Sequence, residues 1–283
     1  MTASELSVLR QDRSTTAAAN GMNKVEIATG ELYGSIWNLM DEEAFATFAD
    51  AHWNKFRNAG LAQDFLRGRI CLDAGCGSGR AVRSMLKDGA AKVYAIDIGD
   101  ECVRNTRDRN APWRDRLVVE QGSVLALPFP DDTFDFVHCD GVLHHTRAPF
   151  AGFCELVRVA KPGVPIMVGL YGAGGLLNFS IYLARAFRHL IPRSLAERAL
   201  HLVTSDPVKM YVFLDPFYVP IRKVYRTRDV DAWATRAGVE GLRRLEHHYN
   251  YRGIDRLLKD YNSFGRWFRG DGYLTYIGFK HNH

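Results

Sequence analysis

ICLDAGCGSGR, residues 70–80, decides the fold of this 283-residue chain. Its first three residues are apolar and predict a buried strand, and apolar residues at helical spacing beyond Arg80 predict a helix. Gly75, Gly77 and Gly79 lie between them. Because glycine lacks a Cβ atom, they permit a tight turn and let a ligand approach the backbone. Backbone N–H groups and the positive end of the helix are then expected to face the polar part of that ligand.

The spacing of these glycines excludes two kinds of phosphate-binding loop. A dinucleotide site needs GxGxxG, but Arg80 stands where its third glycine would fall. A Walker loop needs Gly-Lys-Ser/Thr, which does not follow. The next predicted strand ends in Asp97, about twenty residues after the glycines, where a carboxylate can accept hydrogen bonds from both ribose hydroxyls. The pattern therefore indicates a nucleoside ligand.

Short apolar runs alternate with helical patterns on the carboxyl side of this loop. Such alternation is typical of βα units that build a parallel sheet covered by helices. Strands are predicted near residues 69–73, 92–97, 116–121, 134–139, 164–170, 240–248 and 273–280. The predicted class is α/β, with a Rossmann-like, seven-stranded, mostly parallel sheet, an antiparallel last strand, and a helical lid inserted after the fifth strand.

Five motifs in order give this region a family resemblance. They are LDAGCGSGR (72–80), YAIDI (94–98), GSVLALPFPDDTFDFV (122–137), GVLHHT (141–146) and VAKPG (159–163). The series resembles the class I S-adenosylmethionine (SAM)-dependent methyltransferases, and among them the methyltransferase type 11 family. The resemblance is specific over roughly residues 65–170. It implies SAM as the cofactor and S-adenosylhomocysteine as its product.

The resemblance also implies cofactor contacts. The glycine backbone would lie beside the methionine moiety, Asp97 would bind the ribose, and Ile98 would pack against the adenine. Ser123 stands where the family commonly has an Asp that accepts from the adenine amine, and a hydroxyl is a weaker acceptor. Asp73 has an alternative role, orienting the loop through hydrogen bonds to backbone N–H groups. The residues expected at the cofactor are Tyr33, Trp37, Asp73, Gly75, Cys76, Gly77, Gly79, Asp97, Ile98, Ser123, Val124 and Asp140.

The candidate catalytic residues follow the fourth strand. Methyl transfer from a sulfonium is an in-line displacement, and an O–H or acidic C–H acceptor must also lose a proton. His144 and His145 are candidate bases at the carboxyl edge of the sheet, although both can instead simply pack before the next helix. Asp140 is a further candidate, either as a base or as a charge that orients the sulfonium. No Asn/Asp-Pro-Pro-aromatic motif is present, which disfavours nucleic acid as the acceptor.

Other residue patterns bound the class of protein. The histidines lack HxxxH or acid-rich spacing, so no metal is predicted. The five cysteines form no CxxC pair, which indicates reduced thiols and a cytoplasmic location. Residues 1–20 lack the apolar core of a signal peptide. Residues 164–184 are uncharged, but Pro165 and a glycine cluster argue against a transmembrane helix.

The sequence divides into three parts. Residues 1–24 are predicted to be a flexible tail, residues 25–171 and 226–283 the SAM-binding methyltransferase domain, and residues 172–225 an inserted lid or substrate segment. A helix predicted over Leu176–Leu190 is apolar nearly all round, so protein, substrate or lipid must cover it. One interpretation is a lid over an apolar acceptor; the others are extended core, a homodimer face or peripheral membrane contact. The other aromatic and apolar residues of this lid are Met210, Tyr211, Phe213, Phe217 and Tyr218.

The expected function is methyl transfer to an O, C or N nucleophile of a small apolar, aromatic or isoprenoid metabolite, in natural-product or cofactor biosynthesis. The net charge of +5, with basic residues concentrated in the carboxy-terminal half, suits an anionic substrate or surface, or simply a solvated face. Two alternatives stay open: a methyltransferase acting on protein or RNA, and a SAM-binding cyclase or binding protein that does not methylate.

Overall fold

The computed structural model describes residues 22–62, 64–202, 214–245 and 267–282. Its strands are β1 (Ile70–Ala74), β2 (Lys92–Asp97), β3 (Leu117–Gln121), β4 (Phe136–Asp140), β5 (Pro165–Tyr171), β6 (Val239–Leu245) and β7 (Tyr273–Lys280). Its helices are α1 (Lys24–Trp37), α2 (Glu42–Asn58), α3 (Arg80–Lys87), α4 (Asp100–Arg109), α5 (Pro149–Val159), α6 (Gly175–Ala186), α7 (Arg193–His201) and α8 (Thr227–Ala237). Residues 214–218 form a further helical turn.

The strands form one sheet of order β3-β2-β1-β4-β5-β7-β6. The first five strands pair in parallel, and β7 lies antiparallel between β5 and β6. The predicted fold class is confirmed. Predicted strand ends fall within two residues of the observed ones except for the sixth strand, where β6 ends at Leu245 and residues 246–248 lie outside the described ranges.

Both faces of the parallel strands are buried because successive side chains point to opposite sides. Leu72 and Val137 belong to the hydrophobic cluster on one face, and Cys71 and Phe136 belong to the cluster on the other. Strand order reverses at β1, whose neighbours are β2 and β4. A crevice opens beyond the carboxyl ends of parallel strands at such a reversal, and ligands of α/β proteins bind there.

Two helices, α1 and α2, precede the sheet. A third cluster joins them to the insertion: Trp37 of α1 and Phe45 of α2 pack with Val219. Helix α1 begins at Lys24, the last residue of the predicted tail, and residues 1–21 lie outside the described part of the chain. Within the described ranges, no helix has the length and apolar character needed to cross a bilayer.

The insertion differs from its prediction in burial. The apolar helix is α6, which ends at Ala186 and is followed by a short 3-10 turn, Arg188–Leu190. Only Ile181 of α6 is buried, whereas Phe179 and Tyr182 are exposed. The described part of the protein therefore leaves most of α6 uncovered, and the interpretation of this helix as extended core is wrong. Met210, Tyr211 and Phe213 lie outside the described residues.

Candidate active site

The glycine loop between β1 and α3 has the backbone that its sequence requires. Gly75, Gly77 and Gly79 have φ of +89°, +54° and +84°. A Cβ atom on Gly75 would lie 2.1 Å from Val142 Cγ2, and one on Gly79 would lie 2.6 Å from Asn110 Nδ2. Positive φ and lack of space both exclude other residues at Gly75 and Gly79. Gly79 thereby serves the packing of α4 against the loop.

Four amides of this loop are already hydrogen-bonded within the protein, which the sequence does not predict. Those of Gly75 and Cys76 donate to the carbonyl oxygen of Ile96, at 2.6 and 3.0 Å. The Gly77 amide donates to Asp97 Oδ2 at 2.9 Å, and the Gly79 amide to the Cys76 carbonyl at 2.8 Å. A phosphate-binding loop needs such amides for its ligand. This loop instead presents glycine Cα surface, which fits a nucleoside ligand without phosphate, as SAM is.

Asp97 ends β2 beside this loop. Its Oδ1 accepts from the Gly99 amide at 2.9 Å and its Oδ2 from Gly77. Burial raises the pKa of the carboxyl, and the two backbone donors oppose that rise. The carboxylate is thus fixed by the loop it adjoins, and its remaining lone pairs suit hydroxyl donors. Its contact with the ribose stays a prediction, as does that of the adjacent Ile98 with the adenine.

Two side chains that sequence reasoning missed, one on α4 and one directly after it, hold the carbonyl groups of the loop. Thr106 Oγ1 donates to the Gly77 carbonyl at 3.0 Å, and Asn110 Nδ2 donates to the Gly79 carbonyl at 3.2 Å. Both side chains are fully buried. The sequence offers one indication of their role: they are polar residues at buried positions in the helical region that follows β2 and its terminal Asp97.

Helix α1 covers the loop. A Cβ atom on Gly77 would lie 3.1 Å from Trp37 Nε1, and the rings of Tyr33 and Trp37 stack with centroids 6.4 Å apart. Gly30 of α1 touches Gly99: a Cβ on either one would lie 2.6 or 2.7 Å from the backbone of the other. Tyr33 and Trp37 are therefore close to the loop, as the sequence predicts of cofactor residues.

Ser123 and Val124 lie beyond β3. The Ser123 hydroxyl oxygen accepts from the Leu125 amide at 3.2 Å, and Val124 belongs to the main hydrophobic cluster. Since one lone pair of Ser123 is already used, its weakness as an acceptor for an adenine amine is greater than its chemistry alone implies. Both adenine contacts stay predictions.

A buried polar cluster lies at the ends of β1 and β4. Asp73 Oδ1 is 2.7 Å from His138 Nδ1, and His138 Nε2 is 3.0 Å from His52 Nε2. Asp73 Oδ2 is buried and has no hydrogen-bond partner among the described residues. Asp73 thus contacts an imidazole and not the loop amides, against one of its two predicted roles. Sequence spacing missed His52 because α2 brings it from a distant part of the chain.

Asp140 belongs to the same cluster. Its Oδ2 accepts from Lys55 Nζ at 2.8 Å and its Oδ1 from the Tyr273 hydroxyl at 2.9 Å. Burial raises the pKa of this carboxyl, but the Lys55 ammonium and nearby groups more than offset the rise, so that the pKa lies well below its usual range. Asp140 is therefore a poor proton acceptor near neutral pH, and its predicted role as a base is disfavoured. It fits the other predicted role, a fixed negative charge.

Ligand atoms of His52, His138 and Asp140 lie within 4.8 Å of one another, which is a spacing that could hold a metal ion. The Lys55 ammonium, however, occupies Asp140 Oδ2, where a cation would bind. A metal would have to displace that ammonium and break the contact between the two imidazoles. The absence of a metal stays a prediction.

The two adjacent histidines after β4 have different surroundings. His144 is buried with its ring 3.9 Å from that of Tyr171, and neither of its nitrogens has a hydrogen-bond partner within the described ranges. His145 Nδ1 lies 2.7 Å from the Ile221 carbonyl and its Nε2 2.7 Å from the Tyr33 hydroxyl. The carbonyl can only accept, so Nδ1 carries the proton and Nε2 accepts. Burial lowers the pKa of His145 to about 4, which keeps it neutral.

Asp215, in the insertion, completes this network and was missed from sequence. Tyr33 and Tyr171 each place a hydroxyl against one of its carboxylate oxygens. The residue is 2% exposed, and burial raises the pKa of its carboxyl to about 7. Tyr33 has one proton for two acceptors, so a protonated Asp215 is the donor that lets Tyr33 donate to His145. The available signal was an acid alone in the apolar run 210–221.

These features define a class of protein. A class I methyltransferase fold has this sheet order. It also has a glycine loop after β1, an acid at the end of β2 and polar residues at the end of β4. The orphaned Asp73 oxygen and the glycine surface, which a Cβ would fill, suit the ammonium and the thioether chain of SAM.

Comparison with known proteins agrees. Residues 72–168 match the family described as "Methyltransferase domain". A tRNA U34 carboxymethyltransferase of Idiomarina loihiensis is 31% identical over 45% of this chain and 41% of its own length. A demethylmenaquinone methyltransferase of Symbiobacterium thermophilum is 32% identical over 39% of this chain and 46% of its own length. The matches thus cover less than half of either relative.

The fold also matches a chain of the solved complex that contains the Haloferax volcanii Trm112 methyltransferase activator. The TM-score is 0.56 at 18% identity, over 86% of this chain and 95% of that one. Residues 72–168 thus match a methyltransferase domain, and the fold is that of the class I SAM-dependent methyltransferases, whose cofactor is SAM.

Proposed function

We propose that this chain methylates an O, C or N nucleophile of a small, apolar metabolite and that the acceptor's proton passes to the network of Tyr33, His145 and Asp215. The observation that carries the proposal is Asp215, a buried carboxyl with a pKa of about 7 that contacts two tyrosine hydroxyls. A general base is most effective when its pKa lies near the working pH.

Bound SAM supplies an electrophilic methyl group on a positively charged sulfur. The residues of this chain then have two tasks, to orient the acceptor and to hold its proton. Tyr33 is the partly exposed end of the network, and ionised Asp215 has room for one proton. Tyr33 passes its own proton to Asp215 as it takes the acceptor's proton, and His145, fixed by the Ile221 carbonyl with Nε2 towards Tyr33, accepts from the Tyr33 hydroxyl once Asp215 is protonated.

Arg222 supports an acceptor that carries an acidic or strongly polar group. Its guanidinium carbon lies 5.2 Å from the Tyr171 ring centroid, and one nitrogen donates to Asn178 Oδ1 at 2.5 Å. Its Nε is buried without a hydrogen-bond partner among the described residues. Lys223, by contrast, already donates to the Arg147 carbonyl at 2.7 Å. Arg222 is therefore the cation for a carboxylate, enolate or phosphate of the acceptor.

The relative named for demethylmenaquinone supports a small-molecule acceptor of aromatic or isoprenoid type, in cofactor or natural-product biosynthesis. The relative named as a tRNA U34 carboxymethyltransferase supports the rival in which the acceptor is RNA. We also propose that the protein is cytoplasmic and that it has no nucleic-acid partner.

The test combines binding with turnover. Titration calorimetry of S-adenosylhomocysteine measures cofactor binding, and release of S-adenosylhomocysteine measures turnover on phenols, hydroquinones, carboxylic acids and, as the rival, bulk tRNA. For Asp215→Asn we expect turnover to fall by about a hundredfold with cofactor affinity retained. Asp231→Asn, an exposed acid on α8, is the matched control and should keep full turnover.

Three results would overturn the proposal. Turnover on tRNA alone would establish the rival. Cofactor binding without S-adenosylhomocysteine release on any acceptor would indicate a non-methylating protein. Unchanged turnover of a folded Asp215→Asn variant would remove the network from the reaction.

A further inference from the structure

The insertion carries an unusual concentration of exposed apolar side chains. Ten of the fifteen large exposed hydrophobic residues in the described ranges lie between residues 176 and 202. They are Leu176, Leu177, Phe179, Tyr182, Leu183, Phe187, Leu190, Ile191, Leu195 and Leu202. Scattered exposed apolar residues are ordinary, but such a concentration marks an interaction surface.

Helix α6 has two different stripes. The inner one is anchored to the protein: Ile181 is buried, Asn178 donates to the Gly172 carbonyl at 3.0 Å, and Arg185 donates to the carbonyls of Pro216 and Val219, each at 2.9 Å. The outer stripe, at spacings of three and four residues, consists of Leu176, Phe179, Leu183 and Phe187. The helix is thus held in place with an apolar face turned outward.

The charge of this surface identifies what it meets. No Asp or Glu occurs from residue 156 to residue 196, and Glu197 is the single acid of the segment 175–202. The same segment contains Arg185, Arg188, Arg193 and Arg198, of which Arg188 and Arg198 are exposed. An apolar, aromatic stripe flanked by arginine complements the acyl boundary and headgroups of an anionic bilayer.

A second copy of this chain is a less suitable partner. A two-fold interface pairs a surface with itself, so that the exposed arginines of one copy would face those of the other. With Glu197 already 2.6 Å from Arg193, the segment offers no other acid to offset that repulsion. At 12 residues, α6 is also too short to span a bilayer and suits a helix lying in its surface.

We infer that the segment 175–202 docks this protein on anionic lipid surfaces, with the outer stripe of α6 entering the acyl boundary. This docking does not depend on the proposed chemistry. The inner stripe contacts residues 216–219, next to Asp215, so the docked face adjoins the candidate active site.

Flotation of the full chain with vesicles tests the inference without measuring activity. We expect binding to phosphatidylcholine vesicles that contain about one-quarter phosphatidylglycerol and weak binding to pure phosphatidylcholine. Phe179→Ser with Phe187→Ser should weaken binding at least about tenfold. Val25→Ser with Leu39→Ser, two exposed apolar residues outside the segment, should leave it unchanged. Arg188→Gln with Arg198→Gln should weaken binding about fivefold per arginine.

Several outcomes would overturn the inference. One is an absence of binding to either vesicle. Another is equal binding to both, which would show that the anionic headgroup does not contribute to binding. A third is unchanged binding of the Phe179/Phe187 variant. Light scattering that shows a dimer, dissociated by that variant alone, would identify a second copy as the partner.

Discussion

The glycine-loop region and the inserted segment place their polar and apolar side chains in opposite ways. Around the loop, polar groups are turned inward: Thr106, Asn110 and Asp97 bind backbone atoms, and the glycines make room for close packing. In the segment 175–202, apolar groups are turned outward and arginines hold the inner side. The first arrangement fixes the geometry of a binding site, whereas the second presents an apolar surface. The loop is therefore suited to binding one ligand, and the insertion to contacting a partner surface.

We expect the greatest loss of cofactor affinity from a substitution in the glycine loop. Gly75→Ala combines a positive φ with a Cβ 2.1 Å from Val142 Cγ2, so the loop must shift. We expect the affinity for S-adenosylhomocysteine to fall by more than about a hundredfold, or about 3 kcal/mol. Gly68→Ala is the matched control, because Gly68 has φ of +73° but open space around its Cβ. It should cost about 1 kcal/mol of unfolding free energy and leave cofactor binding intact. Equal loss of binding in both variants would contradict the role of packing.

The second prediction concerns the network that joins the two regions. The pKa of Asp215 is raised to about 7, so the folded state binds more protons than the unfolded state between about pH 4 and 7, and this lowers unfolding free energy as pH rises. The pKa of His145 is lowered to about 4, which raises unfolding free energy over pH 4 to 6.5. The two slopes oppose each other. In Asp215→Asn, we expect stability to rise more steeply from pH 4.5 to 6.5 than in the unmodified chain.

Urea unfolding at a series of pH values measures this difference. His145→Gln removes one of the opposing slopes while Asp215 keeps its own, so its stability should rise less with pH over the same interval than that of the unmodified chain. Parallel pH curves for all three proteins would show that neither group titrates as its surroundings imply.

A smaller effect is expected from the hydrogen bond that Thr106 makes to the loop. Thr106→Val keeps the shape of the side chain but removes its hydrogen bond to the Gly77 carbonyl. A loss of about 1 kcal/mol of unfolding free energy is expected, together with a several-fold weaker affinity for S-adenosylhomocysteine. Thr235→Val is the control, since that hydroxyl donates to the Asp231 carbonyl on the exposed side of α8. A loss of cofactor affinity in the control would show that the effect is not local to the loop.

The sequence predicts features that depend on local backbone chemistry. The strand–glycine–helix pattern locates the loop, and the acid that ends β2 follows from the same βα unit. The turn at Gly238, with φ of +72°, ends α8 at a glycine, which is a common local signal for the end of a helix. These features need only neighbouring residues, so the pattern that produces them is contiguous in the chain.

Features that depend on long-range contacts were not predictable in the same way. His52 meets His138 only because α2 packs beside β4, and their separation of 86 positions in the chain leaves no spacing pattern. The partner of α6 could not be predicted for the same reason, since composition predicts that an apolar helix needs cover and not what supplies it. Asp215 is intermediate, because an acid in an apolar run signals a buried partner without naming Tyr33 or Tyr171.

The contact between Gly30 and Gly99 has a consequence for how this sequence can vary. Each glycine occupies the space that a side chain on the other would need. A Cβ atom added to either one would lie within 3 Å of the backbone of the other. Neither position can therefore accept a larger residue while the other stays as it is, and enlarging both makes the clash worse. The two sites form a reciprocal constraint across 69 positions of the chain, so substitutions there would have to be preceded by a displacement of α1 from α4.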